Sequence, residues 1–186
     1  MYKSIYKSPK TFSNIVMTSD GIFLTGLWFE RAPNKQKNNC NYEEKKLKIF
    51  DKVKLWLDIY FAGKNPSFIP EYKISEITQF EKEVHDILVK IPYGKTVTYS
   101  LIAKQIAKKR GINKMSAQAV GRAIGKNPIC IIIPCHRVVG KDGSLIGYNG
   151  GIKNKIELLK LEQNDMSNFY VSKKGNKLWK DVVGAI

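Results

Sequence analysis

Cys135 and His136 stand side by side in Pro134-Cys135-His136-Arg137-Val138, at the end of the apolar run Ile129-Cys130-Ile131-Ile132-Ile133. A thiol beside an imidazole is the raw material of nucleophilic chemistry. The thiolate is the attacking form, and a free pKa of about 8.5 leaves a thiol mostly protonated at neutral pH, so a base is required. Neighbouring residues in an extended chain point to opposite faces, which predicts that the imidazole serves the sulfur through a bridging water. The imidazole in turn needs a carboxylate to hold its tautomer. Glu157 and Glu162, on the helical stretch that follows, are the nearest downstream candidates. The apolar run reads as a short buried strand that stops at a proline and delivers Cys135 into a turn. Adjacency by itself also fits a small buried thiol beside a satisfied turn histidine, so both readings stand at this point.

Composition narrows the partners. The 186 residues carry 32 Lys and Arg against 16 Asp and Glu, a formal charge of +16. That excess points to a polyanion, nucleic acid first among them, against the competing account of lysines decorating every surface. Three cysteines, Cys40, Cys130 and Cys135, make an odd count that argues against a disulfide scaffold. The two histidines, His85 and His136, build no zinc-finger spacing. Reduced thiols, a cytoplasmic location and no structural metal are therefore expected. The N-terminal Met1-Tyr2-Lys3-Ser4-Ile5 lacks the apolar core of a signal peptide, and no stretch approaches the roughly 18 apolar residues of a membrane span.

The elements that must position the thiol fall into two groups. Around Ser19-Asp20-Gly21 the stretch 14–30 reads as a hairpin, because Asp-Gly between apolar runs is a strong turn signal. From 43 to 62 the positions Leu47, Phe50, Val53, Leu57 and Tyr60 recur at helical spacing with Gly63 as a stop, predicting one amphipathic helix over the hairpin sheet. Organisation changes near 70–76. Thr78-Gln79-Phe80-Glu81 then has the form of a capping box, opening a helix whose buried face is Phe80, Val84, Ile87, Leu88 and Ile91, with His85 beside it as a structural residue. A second helix follows Val97-Thr98-Tyr99-Ser100, and Ser116 is the N-cap of a third that reaches about Lys126. That third helix is lined with Ala117, Ala119, Gly121, Ala123 and Gly125, which let its backbone approach a partner closely. The partner is either another helix or a DNA groove, with phosphates met by Lys114, Arg122 and Lys126. Residues 79–164 hold 15 Lys and Arg against 6 Asp and Glu, so the basic excess extends to this helix-turn-helix. After the thiol come a glycine-rich loop, Gly147-Tyr148-Asn149-Gly150-Gly151, a last helix over about 153–162, and a polar tail.

Together, Ile91-Pro92-Tyr93-Gly94, Thr98-Tyr99, Ala119-Val120-Gly121, Asn127-Pro128, Ile133-Pro134-Cys135-His136-Arg137-Val138 and Gly147-Tyr148-Asn149-Gly150-Gly151 resemble the methylated-DNA–protein-cysteine methyltransferases, the O6-alkylguanine-DNA alkyltransferases. The match runs through about 79–163, and the N-terminal half fits the family's first domain in pattern only. The resemblance implies an α+β protein: a small sheet-plus-helix, ribonuclease-H-like domain over 1–76, then a mainly helical, winged-helix-like DNA-binding domain over 77–163, then a basic tail over 164–186. It implies a monomer, acting without a cofactor on double-stranded DNA containing alkylated guanine and associated with the nucleoid. A flipped O6-alkylguanine, and O4-alkylthymine as a second substrate, would lose its alkyl group irreversibly to the protein in a single turnover.

By the same resemblance Cys135 is the acceptor, His136 the water-mediated base, Glu162 its orienting carboxylate, Asn127 the brace of the turn, and Tyr99 the proton donor that helps rotate the phosphate. Tyr148 and the Asn149 backbone would hold the guanine O6, while the carbonyls of Cys135 and Val138 would read the exocyclic amine. Gly150 and Lys155 belong to the same substrate-binding set. DNA contacts would come from Lys114, Ala117, Gln118, Ala119, Gly121, Arg122, Lys126 and Arg137. Two departures stand out: Gln118 occupies the place where many members carry an arginine that fills the gap left by the flipped base, and the ligands of the zinc site found in some first domains are missing. Three other classes remain to be weighed: a lesion binder without transfer, whose relatives replace the cysteine, a thiol hydrolase or acyltransferase, and a helix-turn-helix regulator that senses alkylation.

Overall fold

A computed structural model describes residues 1–32 and 41–171. Cys40 and the greater part of the Asn/Lys-rich loop before it lie outside the described residues. Strands β1 (Tyr2–Tyr6), β2 (Ile15–Ser19) and β3 (Leu24–Phe29) pair antiparallel, and β4 (Glu43–Glu44) adds parallel to β1, giving the order β3-β2-β1-β4. The hairpin turn works as the Asp-Gly signal predicts: the Asp20 carboxylate accepts from the Ile22 and Phe23 amides at 3.0 and 2.8 Å, and Gly21 takes φ 109°. Gly26 in β3 has no room for a side chain, since a Cβ would stand 2.3 Å from the Trp28 ring and 2.6 Å from the Thr18 hydroxyl.

Helix α1 (Lys48–Phe61) buries Phe50, Val53, Leu57 and Tyr60 against this sheet, as the spacing predicts, and adds Ile49 and Trp56. It starts later than the expected residue 43. Glu43 and Glu44 offer no apolar face to a helix, and their backbone pairs with Tyr2 and Lys3 instead.

The second half is helical: α2 (Gln79–Leu88), α3 (Tyr99–Arg110), α4 (Ala117–Gly125) and α5 (Ile152–Leu161), with the short parallel pair β5 (Val97–Thr98) and β6 (Val138–Val139) between them. Both arms of the predicted capping box form, Thr78 accepting from the Glu81 amide and Glu81 from the Thr78 amide at 2.8 Å. Ser116 caps α4, and α3 ends at Gly111 in the left-handed conformation that glycine adopts without strain. One apolar cluster joins the halves, running from Ile15, Leu27 and Tyr60 to Ile102, Ile133 and Leu158. Backbone hydrogen bonds of 2.8 Å from Leu27 to Pro128 and from Cys130 to Leu27 stitch β3 to the segment carrying the thiol.

That segment is not a strand. Ile129 bridges to Leu27 and Cys130 to Ile133, and between them Ile131 takes φ 69°, an unusual conformation for a β-branched residue. Tight hydrogen bonds close the coil: Ile132 N–H to Cys130 C=O and Cys135 N–H to Ile133 C=O, both at 2.8 Å. Apolar continuity marks burial correctly, but burial here comes from a reversal, not from extension. The expected tail also begins with order. Residues Met166–Asn168 form a 3-10 turn, and Val171 packs with Val139, Leu145, Ile156 and Leu159 in a second small cluster. Among the described residues, no helix is long and apolar enough to cross a membrane.

Candidate active site and nucleic-acid surface

The coil from Asn127 to Val138 brings the reacting groups together. Cys135 opens a 3-10 turn, Cys135–Arg137, that is fully buried. The Asn127 side chain sits inside the coil: its amide donates to the Ile133 carbonyl and to the Cys135 sulfur, each at 2.9 Å, while its oxygen accepts from the Ile129 amide at 3.0 Å. One asparagine thus holds the reversal and aims a donor at the Cys135 sulfur. The thiol of Cys135 is pushed below its ordinary pKa first by a hydrogen bond from Cys130, then by Asn127 and by the cation of Lys155, against burial. Charge-assisted donors of this kind favour the thiolate.

His136 is wholly buried, and its Nε2 lies 2.8 Å from Glu162 Oε1. Glu162 is the carboxylate of the two candidates; Glu157 pairs with Lys160 instead. Burial lowers the histidine pKa, outweighing the opposing pull of Glu162, so the ring is neutral at pH 7. A neutral ring that donates Nε2–H to the carboxylate leaves Nδ1 as its basic nitrogen, and Nδ1 has no protein partner. The sulfur and the base are adjacent in sequence yet share no direct hydrogen bond, in keeping with proton transfer through water.

Glu162, at the C-cap of α5, is the most heavily bonded group in the site. Besides His136 it accepts from Arg137 Nε at 2.9 Å and Nη2 at 2.9 Å, from the Gly94 amide at 3.1 Å and from the Tyr60 hydroxyl at 2.7 Å. Burial alone would raise its pKa; His136 and then Arg137 hold it well below the ordinary carboxylate range.

Arg137, expected at the DNA surface, is turned inward. It is 8% exposed, with Nε and Nη2 on Glu162 and Nη1 on the Ile91 carbonyl at 2.6 Å. An unpaired carboxylate at this depth is too costly, and the guanidinium neutralises it. Tyr60 is legible in the sequence only as a core position of α1; the signal available is a tyrosine on a buried stripe, whose hydroxyl needs a partner. Cys130 reads there only as part of an apolar run.

Lys155 is also buried, its ammonium donating to the Val138 carbonyl at 2.6 Å and the Ile146 carbonyl at 3.2 Å. Burial lowers its pKa to about 8, with Cys135 pulling the other way. It ties together two backbone segments that follow the thiol, so Val138 C=O already has a donor. Tyr148 is buried and its hydroxyl lies near Cys130 and Cys135; burial first, and these thiols next, push its pKa far up. Gly150 permits that packing, because a Cβ would stand 2.4 Å from the Tyr148 ring and 2.8 Å from Phe29. The Asn149 side chain ties the loop to the Gly125 carbonyl at the end of α4.

Tyr99, Ala117, Gln118, Gly121, Arg122, Ile146 and Gly147 line a cleft of about 650 Å³. The Tyr99 hydroxyl donates to the Ile146 carbonyl at 3.1 Å across it. On α4, Ala117, Gln118 and Arg122 are exposed, while Ala119 and Gly121 are half-buried against the protein. Lys114 is exposed before the helix, and Lys126 is exposed but paired with Glu81 at 2.5 Å. His85 is buried on α2 with neither ring nitrogen partnered, away from this chemistry. No group of three or more His, Cys, Asp or Glu among the described residues is arranged to hold a metal.

A thiol pushed toward its ionised form, a neutral imidazole bonded to a carboxylate, and a helix-turn-helix that lines a cleft fit the class of thiol group-transfer proteins of DNA. Residues 79–164 match the family model described as 6-O-methylguanine DNA methyltransferase, DNA binding domain. Over 167 residues the chain is 41% identical to a methylated-DNA–protein-cysteine methyltransferase of Methanosarcina barkeri, covering 89% of this chain and 99% of that protein. It is 37% identical over 166 residues to the Haemophilus influenzae protein of the same name, covering 88% and 87%. Among solved structures, Mycobacterium tuberculosis OGT in complex with DNA superposes with a TM-score of 0.71 at 34% identity, covering 91% of this chain and 95% of that one. An O6-methylguanine DNA methyltransferase from Methanococcus jannaschii gives 0.57 at 34% identity, covering 95% and 100%. The chain belongs to the methylated-DNA–protein-cysteine methyltransferases. It is an α+β member of that DNA-repair family.

Proposed function

We propose that this protein repairs duplex DNA by direct reversal, taking the alkyl group of O6-alkylguanine, and of O4-alkylthymine, onto Cys135 in one irreversible turnover. The observation that carries the reading is the contact of Asn127 with the Cys135 sulfur beside the His136–Glu162 pair. In this mechanism His136 Nδ1 takes the thiol proton through water, and the thiolate attacks the alkyl carbon. The carbon–oxygen bond breaks, the electron pair stays on the base, and a proton from Tyr99 or the Tyr148 hydroxyl neutralises the developing charge. The thioether that remains is a stable carbon–sulfur bond, hence a single turnover.

An atom inside the stack is out of reach, so the lesion base must be extruded into the cleft, with Tyr99 releasing the Ile146 carbonyl as it enters. Gln118 fills the gap and hydrogen-bonds the orphaned cytosine without bringing a charge, while Lys114 and Arg122 meet phosphates. The division into 1–76, 77–163 and 164–186, the ribonuclease-H-like and winged-helix-like character of the first two parts, the monomeric state and the nucleoid association belong to the same proposal. The relative solved with DNA supports the choice of partner.

The test is incubation with duplex DNA carrying radiolabelled O6-methylguanine. Label is expected on Cys135 in a one-to-one amount and absent from Cys135→Ala. Repeated release of label, or turnover without DNA, would instead indicate a hydrolase.

A further inference from the structure

The thiol, its base and the base's carboxylate all come from the second half of the chain, yet one donor to that carboxylate does not. Tyr60 stands on α1, is fully buried, and donates its hydroxyl to Glu162 Oε1 at 2.7 Å. The same oxygen takes His136 Nε2 at 2.8 Å and Arg137 Nη2 at 2.9 Å. We infer that Tyr60 is a positioning residue for alkyl transfer: its hydroxyl holds Glu162 Oε1 on the His136 ring and draws off part of the charge that the carboxylate turns toward it.

The ring of Tyr60 has little freedom. It stacks on Trp56 with centroids 5.3 Å apart, and meets Phe61, Tyr93 and His136 edge-on at 5.7, 6.0 and 6.5 Å. Burial, and then Glu162, hold the phenol far above its ordinary pKa, so it stays protonated and serves as a donor. Its oxygen also lies 3.4 Å from His136 Nε2. With the phenolic proton committed to Glu162, that oxygen presents only lone pairs to the ring, as does the carboxylate, and both fit the tautomer with its hydrogen on Nε2. Nδ1 keeps the lone pair. The inference rests on the reading of Cys135 as the alkyl acceptor and His136 as its base, and the Tyr60 proton stays on Tyr60 throughout.

The two distances decide the direction of the effect. A bond of 2.7 Å to a carboxylate is strong, while 3.4 Å lies beyond the usual range, so Tyr60 acts on His136 chiefly through Glu162. A carboxylate that already accepts from a phenol pulls less on a neighbouring imidazolium. Burial is the first influence against protonating the ring; Glu162 favours it, and the cations of Arg137 and Lys155 oppose it. Cys135 precedes the ring in the same turn, and Tyr148 meets it edge-on at 6.4 Å. Removing the Tyr60 hydroxyl therefore makes His136 a stronger base that is already protonated at a higher pH, and so less available near neutrality.

The experiment is a pH titration of the full chain and of Tyr60→Phe, read twice. Nitrogen NMR of the imidazole rings follows His136 without DNA, with His85, the other histidine, identified by His85→Gln. Single-turnover transfer from duplex DNA carrying radiolabelled O6-methylguanine follows the acid limb of the rate. Tyr60→Phe should raise both midpoints by about one pH unit, with DNA affinity unchanged. A ring-fluorinated tyrosine at position 60, a more acidic phenol of nearly the same shape, should lower both, and it decides the matter even where Tyr60→Phe folds poorly. A residue that only packs would change the melting temperature and leave both midpoints in place; that outcome, with label still reaching Cys135, would overturn the inference. Absence of label from Cys135 of the unsubstituted protein would instead overturn the acceptor reading, which the NMR midpoints do not touch.

Discussion

Tyr60 of α1 donates its hydroxyl to Glu162 Oε1 at 2.7 Å, joining residues 102 positions apart and the two halves of the chain at the carboxylate that serves His136. The N-terminal half is therefore part of the site's support. Tyr60→Phe should lower stability by about 1–3 kcal/mol, the cost of a buried polar group losing its partner. Urea unfolding measures this. An unchanged midpoint would mean that the hydroxyl carries none of the load.

Asn127 is the donor within 2.9 Å of the Cys135 sulfur. Asn127→Ala should raise the thiol pKa, so that transfer at neutral pH falls about tenfold, in line with the 1.5–3 kcal/mol of a hydrogen bond to a charged group. The rate should recover as pH rises through the ordinary thiol range, about 8.5. A loss equal at every pH would assign Asn127 to shaping the coil only.

Acid should destabilise the protein in two stages, by linkage. His136 has a folded pKa below its ordinary 6.5, so the unfolded chain takes up a proton first, and stability falls as pH drops below that value. Glu162 is depressed below its ordinary 4.5, so its contribution is complete above 4.5 and is lost as pH falls further. Lys155 has the same sign in a higher window: its folded pKa of about 8 against 10.5 relieves its burial cost as pH climbs between them. Melting temperature against pH reads all three. Glu162→Gln should flatten the stage below 4.5 while costing about 3–5 kcal/mol by leaving Arg137 without its carboxylate.

DNA affinity should fall steeply with salt, and Arg122 of α4 and Lys126 just after it should not contribute equally. Lys126 is held by Glu81 at 2.5 Å, whereas Arg122 lines the cleft beside Gln118. Arg122→Ala should reduce the salt slope by about one, and Lys126→Ala by less. Fluorescence anisotropy with labelled duplex at several salt concentrations distinguishes them; equal losses would indicate that Lys126 leaves Glu81 for a phosphate.

Local signals are legible because each acts within a few residues. Asp20-Gly21 makes its own turn, Thr78 and Glu81 cap the same helix end, and Ser116 caps α4. The Cys135-His136 pair can be named from the residues themselves, whereas the choice of Glu162 over Glu157, and Asn127 as the brace, come from the family resemblance. Misreadings arise where a residue type has two uses at opposite ends of the burial scale. Arg137 reads as a phosphate contact until Glu162 is found beside it, and five consecutive apolar residues read as a strand until Ile131 is seen at φ 69°.

By itself the sequence determined the Cys135-His136 pair, the basic helix-turn-helix and the order of the helices, because these depend on residue type and on periodicity over short spans. The tertiary structure alone decided that Tyr60 reaches Glu162, that Lys155 is drawn into the interior, and that Arg137 turns away from the surface onto Glu162. Such contacts depend on how a buried charge finds its counter-charge and how a chain reverses under packing. Those choices belong to the whole core, and no local pattern records them.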